Sequence, residues 1–450
     1  MAPNIVLFFP DEYRWDWTGY LNRVPVRTPN LDALAARGTA FTSAICPSPL
    51  CCPSRAALAG GVEYPRCGVP HNNASYIGTE DGLYRLLQAA GYHTMGCGKF
   101  HLGGMRHSCG RDGKQRRDDG TSWFDEWGFS DGLDSGWKKA VYSEYPKGNV
   151  GPYMAYLEER GLAQVHVDDF AKRRPERFQT HVTPLPDDAY VDNWIARTAI
   201  GLVDSVPPDV PFFLQVNFCG PHQPWDVTQS MLSSCEGIEY PPPLAPDETM
   251  SLTKINEVRR NYAAMIENID REIGRIIDHL KKNGVYENTL FIVSSDHGEM
   301  LGDRGCWRKS VPWQASVGVP LLFSGPGVQH QPLVTTPTES LDIAATCLDF
   351  ANIAAPGSWD SRSLRLVLEG RTDRVREVAL SGLGPWSLVT DGRYKLIRTI
   401  EKDGNELLEL YDLGEDPAEV IDVADARPEM VRRLILHLDA HKWPRSGGGD

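Results

Sequence analysis

Two adjacent pairs of side chains in this 450-residue sequence could hold a metal ion: Asp11 with Glu12, and Asp296 with His297. Each pair follows a short apolar run, Asn4 to Phe9 (NIVLFF) and Asn288 to Ser295 (NTLFIVSS), of the kind that forms a strand buried on both faces. Ligands of open α/β sheets bind in the crevice beyond the carboxyl ends of parallel strands, so acids at two such ends can converge. Three carboxylates and an imidazole suit a hard divalent cation, Ca2+ first, while Mg2+, Mn2+ and Zn2+ stay open. Acids after strands also cap the next helix, and spacing alone does not separate the two roles.

A second candidate is the segment CCPSRAALAGG, residues 51–61. If a helix begins at Pro53, Cys51 lies just before its N-terminus, where free backbone N–H groups and the positive end of the helix dipole favour a thiolate or an oxyanion. Arg55, one turn along, adds a fixed charge and a fork of donors. The same residues also fit a buried cysteine pair, or a structural zinc cluster of Cys46, Cys51 and Cys52 in a non-catalytic binding protein.

The elements that must position these groups alternate along the chain. Helices are expected over Thr28 to Gly38, Pro53 to Gly60 and Gly82 to Gly91, with an extended piece from Tyr92 to Cys97. Pro211 to Phe218 (PFFLQVNF) reads as another buried strand, and Leu252 to Gly284 as a long amphipathic helix with Tyr262, Ile266, Ile269, Ile273 and Ile277 on one face. Repeated strand–helix–strand units of this kind indicate a parallel sheet with helices on both faces. Leu102 to about Thr183 breaks the alternation. It is polar and turn-rich, carries Trp123, Trp127 and Trp137 beside the basic run Lys114, Arg116 and Arg117, and reads as a loop-rich insertion that shapes a pocket. From about Asp360 the pattern changes to short strands, Glu377 to Ser381, Trp386 to Thr390, Tyr394 to Ile400 and Glu406 to Leu413, with Asp391-Gly392 marking a tight hairpin and a helix from Pro428 to His441. The expected organisation is a catalytic α/β domain over residues 1–359 and a C-terminal α+β subdomain over 360–450, ending in a frayed Gly-Gly-Gly-Asp.

Sixty acidic against 46 basic residues leave a net charge of −14, which argues against nucleic acid or an anionic membrane as partner. An anionic substrate would have to be held by local charge. Ten cysteines are too sparse for a disulfide scaffold, and none forms a CxxC pair. No basic leader precedes the first strand and no stretch has the length of a membrane span, so a cytoplasmic location is expected.

Taken together, the motifs resemble the type I, formylglycine-dependent sulfatases of the alkaline phosphatase superfamily. Cys51-Cys52-Pro53-Ser54-Arg55 is similar to the Cys-x-Pro-Ser-Arg signature of that family. Gly91-Tyr92-His93-Thr94-Met95-Gly96-Cys97-Gly98-Lys99-Phe100-His101 is similar to its second signature. Pro221-His222-Gln223-Pro224, Ser295-Asp296-His297-Gly298-Glu299, Lys309 and Glu409-Leu410-Tyr411-Asp412-Leu413 follow in the family's order. The resemblance implies an alkaline-phosphatase-like mixed or parallel sheet sandwiched by helices, with a smaller C-terminal antiparallel sheet.

It also implies roles. Cys51 would be converted to formylglycine by a formylglycine-generating enzyme. One hydroxyl of the hydrated aldehyde attacks sulfur and expels the alcohol, and the second then releases sulfate. Asp11, Glu12, Asp296 and His297 would hold the metal together with residue 51. Lys99 and Lys309 would bind sulfate oxygens, Arg55 and His101 would support the formylglycine hydroxyls, and His222 would protonate the leaving group. Lys99 and His101, two apart on an extended segment, would point the same way. Asn72 or Asn73 matches a sulfate-contacting asparagine, and Arg304, where His is frequent, is a candidate substrate contact. Glu12 stands where a second Asp is common, and Ala59 replaces a frequent Thr, while the Cys, Pro and Arg of the modification signal are intact. The implied activity is hydrolysis of small-molecule or sugar sulfate esters. Related enzymes with the same kind of site, some with an Asp-His end to the metal set, make phosphonate monoester or phosphodiester hydrolysis the alternative.

Overall fold

The computed structural model describes residues 2–441 apart from 65, 104–109, 115, 117–119, 137, 139–143, 174–177, 247–249 and 332. Trp137, Arg117, Cys109 and the terminal Gly-Gly-Gly-Asp therefore lie outside the described residues.

Each short apolar run forms a strand, and the strands assemble into one seven-stranded sheet. Its members are β1 (Asn4–Phe8), β2 (Thr39–Phe41), β4 (His93–Gly98), β5 (Asp131–Asp134), β6 (Phe212–Asn217), β7 (Thr289–Val293) and β8 (Leu321–Ser324); β3 (Ala44–Ile45) pairs separately with β9 (Thr338–Glu339). The order is β2-β8-β7-β1-β6-β4-β5, parallel except for β8, which runs against both of its neighbours. The acid-bearing strands β1 and β7 are adjacent, and β6 and β4 lie beyond β1. All four carboxyl ends therefore open onto one crevice.

Alternation along the buried strands splits the interior into two layers. Ile5, Leu7, Phe213, Leu290 and Ile292 face a layer with helices α2 (Cys51–Gly60), α3 (Leu83–Ala89) and α6 (Asp342–Phe350). Val6, Phe8, Leu214, Phe291 and Val293 face a layer with helices α1 (Pro29–Ala35), α4 (Val191–Asp204) and α5 (Leu252–Lys282). Ile266, Ile269, Ile273 and Ile277 of α5 are all buried there. Ser251 caps α5 by accepting from the Lys254 N–H at 3.3 Å.

The helix that carries Cys51 starts two residues earlier than expected: it begins at Cys51, with Leu50 as its cap. Pro53 is then the third residue. It is tolerated because the first N–H groups of a helix have no partner within it. Gly98 closes β4 at φ +98, and a Cβ there would lie 1.9 Å from the Asn217 carbonyl oxygen. Only glycine lets β4 and β6 approach so closely at the crevice.

A second sheet of four antiparallel strands, β10 (Ala379–Leu383), β11 (Trp386–Thr390), β12 (Tyr394–Ile400) and β13 (Glu406–Asp412), carries helix α7 (Pro428–Ala440). The expected tight turn at Asp391-Gly392 is widened to three residues by the Asp391 carboxylate, which accepts from the N–H groups of Arg393 at 3.0 Å and Tyr394 at 2.7 Å. Leu380, Leu388, Leu396 and Leu434 join the same apolar layer as α2 and α3, so the core runs unbroken from the large sheet into the small one.

The segment from 102 to 183 is more structured than a loop-rich insertion. It supplies β5 as an edge strand and the helices Trp123–Trp127, Pro152–Glu159 and Ala163–Arg173. Trp123 and Trp127 stack at 6.1 Å in the core. Among the described residues no helix is long and apolar enough to cross a membrane.

Candidate active site

The crevice gathers the groups that sequence spacing singled out. One ligand atom each from Asp11, Cys51, Asp296 and His297 lies within 4.8 Å of every other, and all four residues are buried. Cys51 Sγ is 3.3 Å from His297 Nε2 and 3.7 Å from Asp11 Oδ1. His297 Nδ1 lies 3.0 Å from the Gly298 carbonyl, which can only accept. Nδ1 therefore carries a hydrogen, which leaves Nε2 as the ring atom that would meet a metal once it has lost its own proton. Two carboxylates, one imidazole nitrogen and a position for one more donor fit a divalent cation. Among the described residues this set takes Cys51 away from Cys46 and Cys52. Cys52 Sγ instead donates to the His101 carbonyl at 2.6 Å, so the structural zinc cluster does not form.

Fixed cations offset the buried acids. Arg55 Nε lies 2.9 Å from Asp296 Oδ2, its Nη1 donates to the Lys99 carbonyl at 2.7 Å and to Asn217 Oδ1 at 3.2 Å, and its Nη2 is 3.8 Å from Asp11 Oδ1. Lys99 Nζ pairs with Asp11 and lies 3.6 Å from Cys51 Sγ; Lys309 Nζ approaches the same sulfur to 3.1 Å. Burial would push the Asp11 carboxyl up, but Lys99, His222, Lys309 and Arg55 together hold it well below its usual value. Burial and Asp11 would likewise raise the Cys51 thiol, and Lys309, Lys99 and His297 outweigh them, so it too sits well below its ordinary value. The crevice thus concentrates three fixed cations, Arg55, Lys99 and Lys309, against its buried acids.

Glu12, expected among the metal ligands, lies outside the four-residue set. Its backbone is left-handed, φ 67, and its carboxylate lies 3.4 Å from Lys309 Nζ and 3.5 Å from His222 Nε2. Burial, reinforced by Glu299 and Asp11 against Lys309 and His297, lifts its carboxyl to about 8. His222 moves the other way, held well below its ordinary value by burial and by Lys309 and Lys99 against Asp11 and Cys51. His222 Nδ1 lies 2.6 Å from the Gln223 carbonyl and so carries a hydrogen, leaving Nε2 facing Glu12. Both shifts run in the direction that favours the proton on Glu12 over His222.

The remaining candidates separate. His101 lies past the end of β4 at φ 50, so the expected extended alternation with Lys99 fails, yet its buried imidazole still lies beside Cys51 and Lys99. Asn72 Oδ1 accepts from the Cys52 N–H at 3.0 Å and so caps the first turn of α2, whereas Asn73 is exposed, its N–H on His71 Nδ1 at 3.3 Å. Arg304 is not brought to the cluster: its guanidinium stacks 3.8 Å over Trp313 and donates to the carbonyls of Ala418 and Glu419.

Other supporting residues were not singled out from sequence. Asn217 ends the apolar run of β6, and a polar side chain at the end of a buried strand was a signal available in the sequence. Asp192 accepts from the Cys219 N–H at 2.7 Å and the Gly220 N–H at 3.1 Å, fixing the loop that carries His222. On the loop's other side Lys138 Nζ reaches the Pro224 carbonyl at 3.3 Å and Asp226 at 3.1 Å. Nothing local in the sequence marks Asp192 or Lys138.

Comparison with known proteins identifies the family. A family model described as sulfatase matches residues 3–353, and a second, described as N-sulphoglucosamine sulphohydrolase, C-terminal, matches residues 302–441. An arylsulfatase of Clostridium perfringens is 26% identical over 97% of this chain and 94% of its own length. Among solved structures, a phosphonate monoester hydrolase of Agrobacterium radiobacter superposes with a TM-score of 0.79 at 21% identity, covering 98% of this chain and 96% of its own. A protein solved with its substrate D-glucosamine-2-N,6-O-disulfate superposes with a TM-score of 0.76 at 18% identity, covering 98% of each chain. With the matched model spanning the large sheet and every element that carries the crevice, the chain belongs to the sulfatase family, the hydrolases of sulfate esters.

Proposed function

We propose that the chain hydrolyses sulfate monoesters of small or sugar alcohols in this crevice, with Cys51 converted to formylglycine and a divalent cation, Ca2+ first, held by Asp11, Asp296, His297 and residue 51. The observation that carries this is the approach of two ammonium groups, buried Lys99 at 3.6 Å and part-buried Lys309 at 3.1 Å, to the Cys51 sulfur. That sulfur stands in for the formylglycine oxygen. The metal and the modified residue supply a nucleophilic oxygen beside a polarised sulfate. A formylglycine-generating enzyme is the maturation partner this requires.

The chain's own side chains do the rest. Arg55, fixed by Asp296 and the Lys99 carbonyl, keeps its charge beside the nucleophile, and His101 flanks the same position. Lys99 and Lys309 hold sulfate oxygens and oppose the charge that develops as the ester bond breaks. His222 passes a proton to the leaving oxygen from Nε2, and Glu12, 3.5 Å from that nitrogen, is where the proton rests. Sugar sulfates are supported by the fold-level neighbour solved with a sulfated glucosamine.

One observation favours a second reading. The metal-ligand set ends in Asp296-His297 and leaves Glu12 out, and a phosphonate monoester hydrolase shares the fold. Turnover of an aryl sulfate, a phosphonate monoester and a phosphodiester by the same preparation separates the two. Rapid phosphonate cleavage beside negligible sulfatase turnover would replace sulfate by phosphonate. Mass spectrometry of the peptide containing Cys51, from protein made in its natural host, tests the nucleophile. A fully retained thiol there rules out the covalent route.

A further inference from the structure

Lys309 reaches the nucleophile from a loop whose backbone does not hold itself. The residues on both sides are left-handed and neither is glycine: Arg308 has φ 70 and Ser310 φ 76. Such conformations persist only where the surroundings over-determine them. Before Lys309, the loop is closed within the large domain. Glu299 accepts from the Arg308 N–H, and the Met300 N–H donates to the Arg308 carbonyl at 2.7 Å.

After Lys309, the Ser310 N–H donates to the Pro49 carbonyl at 3.2 Å, and most of the other restraints come from the C-terminal sheet and the loop that follows it. Trp386 Nε1 donates to the Ser310 carbonyl at 3.3 Å. Lys395 Nζ donates to the Pro312 carbonyl at 3.2 Å. Glu419 accepts from the Gln314 N–H at 2.6 Å and pairs with Lys395 Nζ at 2.5 Å. Trp313, between these two anchored residues, packs edge-on against Tyr411 of β13 at 5.6 Å.

Lys395 and Glu419 are expensive residues to bury, and both are: their side chains are 0% and 3% exposed. A buried ion pair adds little over apolar residues of the same volume, so stability alone does not account for it. What an apolar pair would lack is the donor to Pro312 and the acceptor for Gln314, the two contacts that flank Trp313 and fix the path of the loop after Lys309.

We infer that Lys395 and Glu419, together with Trp386, are positioning residues for Lys309, so that the C-terminal sheet sets the reach of a cation that acts on the substrate. The inference rests on the reading that Lys309 binds the sulfate. The test is a cycle of variants on an aryl sulfate: wild type, Lys309→Ala, the pair Lys395→Met with Glu419→Gln, and all three changes together. The pair change neutralises both charges and keeps an acceptor for Gln314. It is expected to lower kcat/KM about 10- to 100-fold, the scale of an ångström-sized misplacement of a catalytic group. In the Lys309→Ala background it is expected to cause no further loss, because its effect runs through the missing ammonium.

Equal losses in both backgrounds would assign the pair a merely structural role and overturn the inference, as would unchanged kcat/KM in the pair variant. Full turnover by Lys309→Ala alone would overturn the role of Lys309 itself, a result distinct from either. Should the pair variant fail to fold, Trp386→Phe keeps the ring, removes the bond to Ser310 and is run through the same cycle, with the same outcomes counting for and against.

Discussion

His166 offers a quantitative check on the buried electrostatics away from the metal cluster. It lies on helix Ala163–Arg173 between Tyr153 and Phe170, with ring centroids at 5.7 Å and 4.8 Å, and Nδ1 has no hydrogen-bond partner among the described residues. Burial, with Arg173 and Lys138 adding to it against Asp226, pushes its imidazole from 6.5 down to about 4. Between those values the unfolded chain binds a proton that the folded chain refuses. This group's contribution is therefore intact above pH 6.5 and is lost as the pH falls through about 4. A difference of about 2.5 in pKa corresponds to about 3 kcal/mol, most of which falls between pH 7 and pH 4.5. The perturbation is His166→Phe, which keeps the aromatic contacts and removes the titration. Urea unfolding of both proteins at the two pH values, followed by tryptophan fluorescence, gives the loss of stability on acidification. Asp134 and Asp270, each lifted to about 6 by burial, titrate in the same window with the opposite sign and cancel in the comparison. The variant should lose about 2–3 kcal/mol less than the wild type. Equal losses in the two proteins would refute the reasoning.

Three further outcomes test the site and its supports. Arg55→Met leaves Asp296 buried without its guanidinium and should cost about 3–5 kcal/mol in chelator, read as a lower melting temperature; an unchanged melting temperature would refute this. His222→Ala should lower kcat about 10²- to 10⁴-fold for alcohols that are poor leaving groups and far less for good ones; an equal loss across a series of aryl sulfates would exclude proton donation. Gly98→Ala forces a Cβ to 1.9 Å from the Asn217 carbonyl and should abolish soluble expression, its cost exceeding about 4 kcal/mol.

Much of the crevice was legible because its logic is periodic. Apolar runs of five or six residues with acids at their ends mark strands and their carboxyl termini, and the parallel topology brings such ends together. Local backbone handedness is not written in that pattern. Glu12 lies outside the four-residue cluster and His101 departs from strand geometry; both adopt positive φ, which their residue types do not announce. β5, Asp131–Asp134, escaped notice because an edge strand of two aspartates, a glycine and a leucine has no apolar run. Trp123 and Trp127 looked like a binding surface among polar neighbours, but the core behind α3 needed their volume. Arg304 and the Lys395–Glu419 pair were opaque for another reason: their partners lie about a hundred residues away or on another sheet, and only the assembled chain shows what they hold.

Arg55 makes contacts beyond the carboxyl ends of four neighbouring strands at once: Asp11 after β1, the Lys99 carbonyl after β4, Asn217 at the end of β6 and Asp296 after β7. Functional sites are commonly drawn from the least protected parts of a fold, where local opening is cheap. This guanidinium places the floor of the crevice in the opposite class. The strand ends cannot separate one at a time without breaking charged contacts that they share, so the floor is expected to open only with the global transition. Its amides in β1, β6 and β7 should be among the slowest in the protein to exchange with deuterated solvent, and any rearrangement around a substrate falls to the loops of His222 and Lys309 above a floor that stays closed.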